Sequence, residues 1–197
     1  YTHSGIFHAD DVFCVAAIRI GGFGTEVKRV RELPKKFSPE TDIAIDVGGE
    51  FDPTKMIFDH HQKNGNNDEM AAIGKFWSVY GSHICSSQEV ADRVYLTLIG
   101  SIDRADIGVA DWAPIKEEWR HCSASNMISM MNPADFSKSD SYFEAATQAA
   151  DLILRGAIEN AEKFVGMEKI LDEAQRPFSE VLILDQAGPW QENVLSN

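Results

Sequence analysis

Basic residues are scarce: 18 Lys and Arg stand against 31 Asp and Glu, for a formal net charge of −13. That balance offers no polybasic footprint for tight, non-specific nucleic-acid binding. Cysteine is scarcer still. Cys14, Cys85 and Cys122 are widely spaced and form no Cys-x-x-Cys pair. A thiolate zinc site is thereby excluded, a disulfide framework is disfavoured, and a reducing, cytoplasmic compartment is expected. Long hydrophobic runs are also missing. None approaches the roughly 20 residues that span a membrane, so no membrane partner is expected. The chain opens Tyr1-Thr2-His3 without the basic region of a signal peptide. It also lacks an initiator Met, so N-terminal residues are expected to have been lost or renumbered, and organellar targeting stays open.

What is present is ordinary in bulk: 197 residues, 44% hydrophobic and 25% charged, enough for one sizeable domain. The unusual stretch is Phe58-Asp59-His60-His61-Gln62. A carboxylate and two imidazoles in succession are costly to bury unpaired. The stretch follows the apolar Met56-Ile57-Phe58 and runs into Lys63-Asn64-Gly65-Asn66-Asn67, a loop by composition. Open α/β sheets place their sites at such C-terminal strand ends.

Around it, the first half reads as alternating strands and helices. The Thr2–Asp11 stretch is a loop with Asp10-Asp11 at the N-cap of an almost wholly apolar helix from Val12 to Ile18. Gly21 to Gly24 stop that helix rather than cradle a phosphate, because no strand precedes them and no helix follows. Val27–Arg31 reads as a strand, Ile43–Val47 as a buried strand with Asp46 at its tip before Gly48-Gly49, and Lys55–Phe58 as another strand. This order implies an α/β fold, a mostly parallel sheet flanked by helices, with a helix-rich second half. Met70, Ile73, Phe76, Trp77 and Tyr80 recur at helical spacing, and Val90, Val94, Leu98 and Ile102 stripe a helix from about Ser87 that continues to Asp103 and Asp106. Asp111–Pro114 is a linker, and a helix follows over about Ile115–Met131. Met127, Met130 and Met131, with Trp112 and Trp119, form an apolar cluster expected in the core, with a homodimer face as the alternative. A long amphipathic helix starts at Ser139, runs to Gly166 and extends as far as Ala174. Val181–Asp185 is a final strand. The main domain is set at 1–185, with 186–197 as the start of a C-terminal region.

His3, His8 and Asp10, then Asp46, then Asp59, His60 and His61, then Asp103 and Asp106 form four groups near loops. A parallel sheet brings such positions to one edge. Imidazole and carboxylate without thiolate suit Mn²⁺, Fe²⁺, Co²⁺ or Zn²⁺ better than Ca²⁺. A carboxylate such as Asp46 can bridge two ions about 3.5–4 Å apart, the spacing used for in-line phosphoryl displacement.

Thr2-His3-Ser4-Gly5-Ile6-Phe7-His8-Ala9-Asp10-Asp11, Asp46-Val47-Gly48-Gly49 and Phe58-Asp59-His60-His61-Gln62 closely resemble the melanocyte proliferating gene family. Those proteins are metal-dependent RNA exonucleases related to the DHH phosphoesterase superfamily. Weaker matches run through Ala72-Ile73-Gly74, Ile102–Gly108, Met131-Asn132-Pro133 and Leu184-Asp185 with Pro189-Trp190. The resemblance implies His3, His8, Asp10, Asp46, His60 and Asp103 as ligands of two divalent ions, Mn²⁺ first and Zn²⁺, Co²⁺ or Mg²⁺ as alternatives. It makes Asp46 the bridge, His61 the catalytic group facing the scissile phosphate with Gln62 beside it, and Asp59 a catalytic group behind an imidazole. Asp11 and Asp106 fall behind the ligands, with Asp106 as the alternative to Asp103. The implied activity is 3′–5′ hydrolysis of RNA or short oligonucleotides. The family carries a further C-terminal portion that this chain stops short of. A small-substrate phosphatase or pyrophosphatase, and a non-catalytic metal-binding module, are the competing expectations.

Overall fold

The computed structural model describes residues 1–61, 69–109, 123–178, 181–184, 188 and 190–195. Gln62 and the loop at 63–67, the 111–114 linker, Trp112, Trp119, Cys122, Asp185 and Pro189 lie outside the described residues.

Five short strands form one sheet: β1 (Thr2–His3), β2 (Arg29–Val30), β3 (Ala44–Ile45), β4 (Phe51–Asp52) and β5 (Ile57–Phe58), in the order β2-β1-β3-β5-β4. β1 pairs in parallel with β2 and with β3, and β3 in parallel with β5. The register sets His3 beside Val30 and Ile45 beside Phe58. Only β4 runs antiparallel, along β5. The sequence reading missed this edge strand because two residues cannot show a period-2 pattern. Turn chemistry makes it instead. Gly48 and Gly49 carry φ of +125° and +75° and swing the chain out of β3, a conformation open to glycine without a Cβ clash. Asp52 then caps a single 3₁₀ turn, Pro53–Lys55, by accepting from the Thr54 N–H at 3.1 Å.

From β1 the chain passes through helix α1 (Ala9–Ile20) to β2 on one side, and β3 then lies on the other side of β1. The order of strands reverses there, and the C-terminal ends of β1 and β3 flank the crevice that such a reversal leaves open. α1 is apolar all round because it is covered all round: each residue from Ala9 to Ala17 is buried. It packs against α2 (Ala72–Ile84) and against α6 (Ser139–Glu173), which continues for 35 residues as one helix. Phe7 meets Phe143 of α6 edge-on at 5.6 Å, and Phe58 meets Phe76 of α2 edge-on at 5.2 Å, tying the sheet to both helices.

The helix expected from Ser87 is present but not regular. α3 (Gln88–Val94), capped by Ser87, joins α4 (Gly100–Asp106) through a π turn over Tyr95–Ile99. Uniform helical spacing points Leu98 inward. The wider turn shifts the inward position to Ile99, fully buried five residues after Val94, and leaves Leu98 partly exposed. It also resets the direction of everything that follows, including Asp103 and Asp106.

The methionine cluster is corrected in part: Met131 packs against the core as expected, whereas Met127 and Met130 do not. On α5 (Ala124–Met130), Met130 is 76% exposed and Met127 41% exposed, whereas Ile128 is buried. A two-turn helix packs one face, and Ile128 occupies it. β6 (Gln175–Phe178) and β7 (Val181–Ile183) form an antiparallel pair, and α7 (Trp190–Leu195) follows. Cys14 and Cys85 are buried free thiols. Among the described residues no helix is long and apolar enough to cross a membrane.

Candidate metal centre

His3 is the last residue of β1, Asp46 directly follows β3, and Asp59, His60 and His61 directly follow β5. Three parallel strands therefore end in line on one edge. His8 is the N-cap of α1, with Asp10 and Asp11 in the first turn, so the helix begins two residues earlier than an Asp10-Asp11 cap requires. Asp106 closes α4 and reaches the same crevice. Asp46 itself has φ +53°, a left-handed conformation that Asp tolerates better than most residues and that is costly enough to be found mostly at functional sites.

The side chains converge on Asp46. Its Oδ1 lies 3.2 Å from His60 Nε2 and 3.2 Å from His61 Nδ1, and its Oδ2 lies 3.3 Å from His3 Nε2. His60 Nε2 is also 3.2 Å from Asp106 Oδ2, and His8 Nδ1 is 3.8 Å from Asp106 Oδ1. Three sets of potential ligand atoms each fall within 4.8 Å: His3/His8/Asp46, Asp46/His60/His61 and His8/Asp10/Asp106. Asp46 and His8 each belong to two of them.

The donor set fits divalent cations. Asp10 is fully buried, and neither of its oxygens has a hydrogen-bond partner among the described residues. His3 Nε2, Asp46 Oδ1 and His60 Nε2 are likewise buried without hydrogen-bond geometry, despite the short distances above. A buried carboxylate left bare costs several kcal/mol, on the order set by its desolvation, unless a cation balances it. Burial, followed by the charges of Asp46, Asp11 and Asp106, pushes the Asp10 carboxyl well above the usual range. Burial would also raise Asp46, but the imidazoles of His60, His61 and His3 outweigh it and hold Asp46 below that range. Carboxylates crowded this closely, interleaved with imidazoles, can hold metal ions. The nitrogen and oxygen donors fit the transition metals better than Ca²⁺.

The imidazoles report the same field. Burial pulls His60 down, yet Asp106 and Asp46 lift it to about 10, and His61 rises to about 9 chiefly through Asp46. Groups raised above their unfolded value of about 6.5 stabilise the fold fully below that value, and lose the contribution as pH climbs through the raised one. The metal-stripped protein should therefore lose thermal stability from about pH 6.5 to 10. Because bound metal requires deprotonated ligands, the margin of the metal-loaded protein over the stripped one should widen along the same axis. Melting temperatures in chelator and in Mn²⁺ across this range measure both, and a flat profile in chelator contradicts the assignment.

A surrounding layer fixes these groups. Asp59 is buried and uses one oxygen to accept from the Gly49 N–H at 2.6 Å, the other to meet the His61 N–H at 2.9 Å and His61 Nδ1 at 3.0 Å. Asp11 accepts from the His8 N–H at 3.0 Å and sits 3.1 Å from His3 Nε2. The loop between His3 and His8 is clamped from far along the chain. Asn132 accepts from the Phe7 N–H at 2.9 Å and donates to the Phe7 carbonyl at 2.8 Å, and Arg29 and Ser139 donate to the Gly5 carbonyl at 2.7 and 2.8 Å. Sequence reasoning assigned neither Asn132 nor Arg29 a part here. In the sequence, Asn-Pro at 132–133 ends the helix that precedes it and forms part of one of the weaker family matches, and neither points to this contact.

Asp103 is not brought to the cluster. It is fully buried at the start of α2, where Oδ1 accepts from the Ala71 N–H at 2.7 Å and Oδ2 from the Tyr95 hydroxyl at 3.0 Å. A Cβ at Gly74 would meet its Oδ1 at 2.2 Å, so glycine there makes room for the carboxylate. Asp103 and Asp106 share one helical side, but three residues of rise separate their targets. The geometry places Asp106, the alternative, in the crevice. Gln62 lies outside the described residues.

The molecule is thus an α/β protein that carries a His/Asp cluster able to hold metal at the C-terminal edge of a mostly parallel sheet. One family model, MYG1_exonuc, described as Uncharacterised protein family (UPF0160), matches residues 1–197, and the chain belongs to that family. It is 26% identical over 223 residues to a MYG1 protein of Schizosaccharomyces pombe, covering 96% of this chain and 68% of that protein. It is 26% identical over 230 residues to the MYG1 exonuclease of Homo sapiens, covering 98% and 61%. A MYG1 protein of Chlamydia trachomatis is 28% identical over 200 residues, covering 99% and 66%. The chain therefore spans roughly two thirds or less of the relatives it matches. No solved structure matches it.

Proposed function

We propose that this chain is a metal-dependent phosphodiesterase of exonuclease type, releasing nucleotides from the 3′ end of RNA or short oligonucleotides. The observation that carries the reading is Asp10, buried with both oxygens unpartnered among the described residues beside Asp46 and Asp106. Such a carboxylate group makes physical sense around cations. The relatives named exonuclease support the choice of reaction. His3, His8, Asp10, Asp46, His60 and Asp106 would hold two divalent ions, Mn²⁺ by preference. Bound there, the ions supply Lewis-acid neutralisation of phosphoryl charge and a water of lowered pKa.

The remaining chemistry belongs to His61 and Asp59. The His61 side chain is 66% exposed and lines the cleft, whereas that of His60 is 13% exposed. With Asp59 holding Nδ1, Nε2 is the ring nitrogen left for substrate, and a protonated His61 donates from it to the leaving oxygen. The acidic surface favours a second reading, a phosphatase acting on a small substrate such as pyrophosphate, for which little basic footprint is needed.

One assay separates them. Purified chain with Mn²⁺ is given a short RNA labelled at its 5′ end, and pyrophosphate in parallel. Stepwise shortening from the 3′ end, abolished by chelator, is expected. Phosphate release from pyrophosphate alone moves the assignment to the second reading, and inertness toward both overturns hydrolysis.

A further inference from the structure

An anionic substrate entering this crevice meets Asp10, Asp46, Asp59 and Asp106 as well as any cations they hold. Cations bound at the cluster serve the phosphate undergoing reaction. A neighbouring phosphate of the same nucleotide chain needs its own positive partner. Two cavities flank His8, of about 660 Å³ and about 450 Å³. Among the described residues lining them, Arg31 is the sole Arg or Lys.

Arg31 follows Val30, which pairs with His3 across β2 and β1, so it belongs to the same sheet edge as the cluster. The larger cavity brings it together with His3, His8, Asp46, Gly48 and His61. Its backbone is held, since the Ser4 N–H donates to the Val30 carbonyl at 2.9 Å and Arg29 is bonded to Gly5 and Ser139. Its side chain is a different matter. Arg19, Arg29 and Arg155 pair with Glu144, Asp140 and Asp151. Arg31 is exposed and forms no ion pair with any described residue, Glu32 in the same cavity included. A planar guanidinium on a fixed strand end, unpaired and facing a cleft, suits bidentate capture of a phosphate.

We propose that Arg31 is a specificity-determining contact that binds a second phosphate of the substrate, next to the one at the His/Asp cluster. The proposal rests on the phosphodiesterase reading and adds to it a preference for nucleotides carrying a flanking phosphate.

Binding is the test, because it does not depend on turnover. Uridine 3′,5′-bisphosphate and uridine 5′-monophosphate are titrated calorimetrically into the Mn²⁺-loaded chain, and into R31A and R31K. The unmutated chain should bind the bisphosphate at least about tenfold tighter than the monophosphate. R31A should lose that preference with monophosphate affinity and metal content unchanged, and R31K should restore part of it. Equal affinities in the unmutated chain, undetectable binding of the bisphosphate, or equal weakening of both ligands in R31A each overturn the proposal. If the preference tracks Arg31 while RNA is not shortened, the hydrolytic reading fails and the phosphate contact stands.

Discussion

Asp46→Asn should lower phosphodiester hydrolysis by about a thousandfold or more, the scale of the several kcal/mol that metal-ion charge stabilisation contributes. Asp46 touches His3, His60 and His61 within 3.3 Å and enters two of the three ligand sets, so neutralising it weakens both halves of the centre. Asparagine is the clean substitution. It keeps the shape of the side chain and tolerates φ of +53° nearly as well as aspartate, whereas alanine would add backbone strain. Metal content by elemental analysis should fall with activity, while circular dichroism stays unchanged. Asp106 enters one set only, so Asp106→Asn should cost less. Equal losses of activity and metal in the two variants would remove Asp46 from its bridging position.

The order of the site along the chain was legible because it follows from topology. Strands that run parallel end on the same edge, so Asp46 and Asp59–His61, at or just past the ends of strands read from the sequence, had to meet, whereas His3 joins them at the end of β1, in a stretch that reads as a loop. The buried run from Val12 to Ala17 was legible for a similar reason: a helix apolar on every side must be covered on every side. Three features were not. Two-residue strands leave no alternation to read, and β4 exists through the turn glycines before it rather than through its own pattern. The π turn at Tyr95–Ile99 adds one residue to a helical repeat, and no propensity marks where it falls. The clamps on the loop between His3 and His8 come from Asn132 and Ser139, 125 and 134 residues away from their partners. An Asn before a Pro looks the same whether it ends a helix or, as here, also holds a strand-to-helix loop. Local signals mark the candidate residues; what positions them is tertiary.

Asp103→Ala and Asp106→Ala should separate cleanly, in opposite directions. Both are carboxylates three residues apart in one helix, and the family resemblance implied Asp103 as the ligand. In the fold, Asp103 accepts the Ala71 N–H and the Tyr95 hydroxyl at a site from which water is excluded. Removing it leaves a helix N-terminus and a partly buried hydroxyl without their acceptor, at about 1.5–3 kcal/mol for each hydrogen bond to a charged group. The expected sum is about 3–6 kcal/mol, or a fall in melting temperature of roughly 6–24 °C for a chain of this size. Gly74 turns the result into a test of mechanism: Gly74→Ala, which crowds the Asp103 carboxylate without touching the crevice, should reproduce the instability. In neither variant should the folded fraction lose metal. Asp106 lies beside His60 and His8 with its side chain 14% exposed, and its loss relieves like-charge crowding on Asp10. In the metal-free protein that relief offsets the loss of the Asp106 partner that raises His60, so the net change in melting should be smaller than for Asp103→Ala, while metal affinity drops by tenfold or more, on the order seen when a metal site loses a supporting group. If Asp103→Ala lost its metal at unchanged stability, the ligand from α4 would be Asp103 and the π turn would not have the consequence assigned to it.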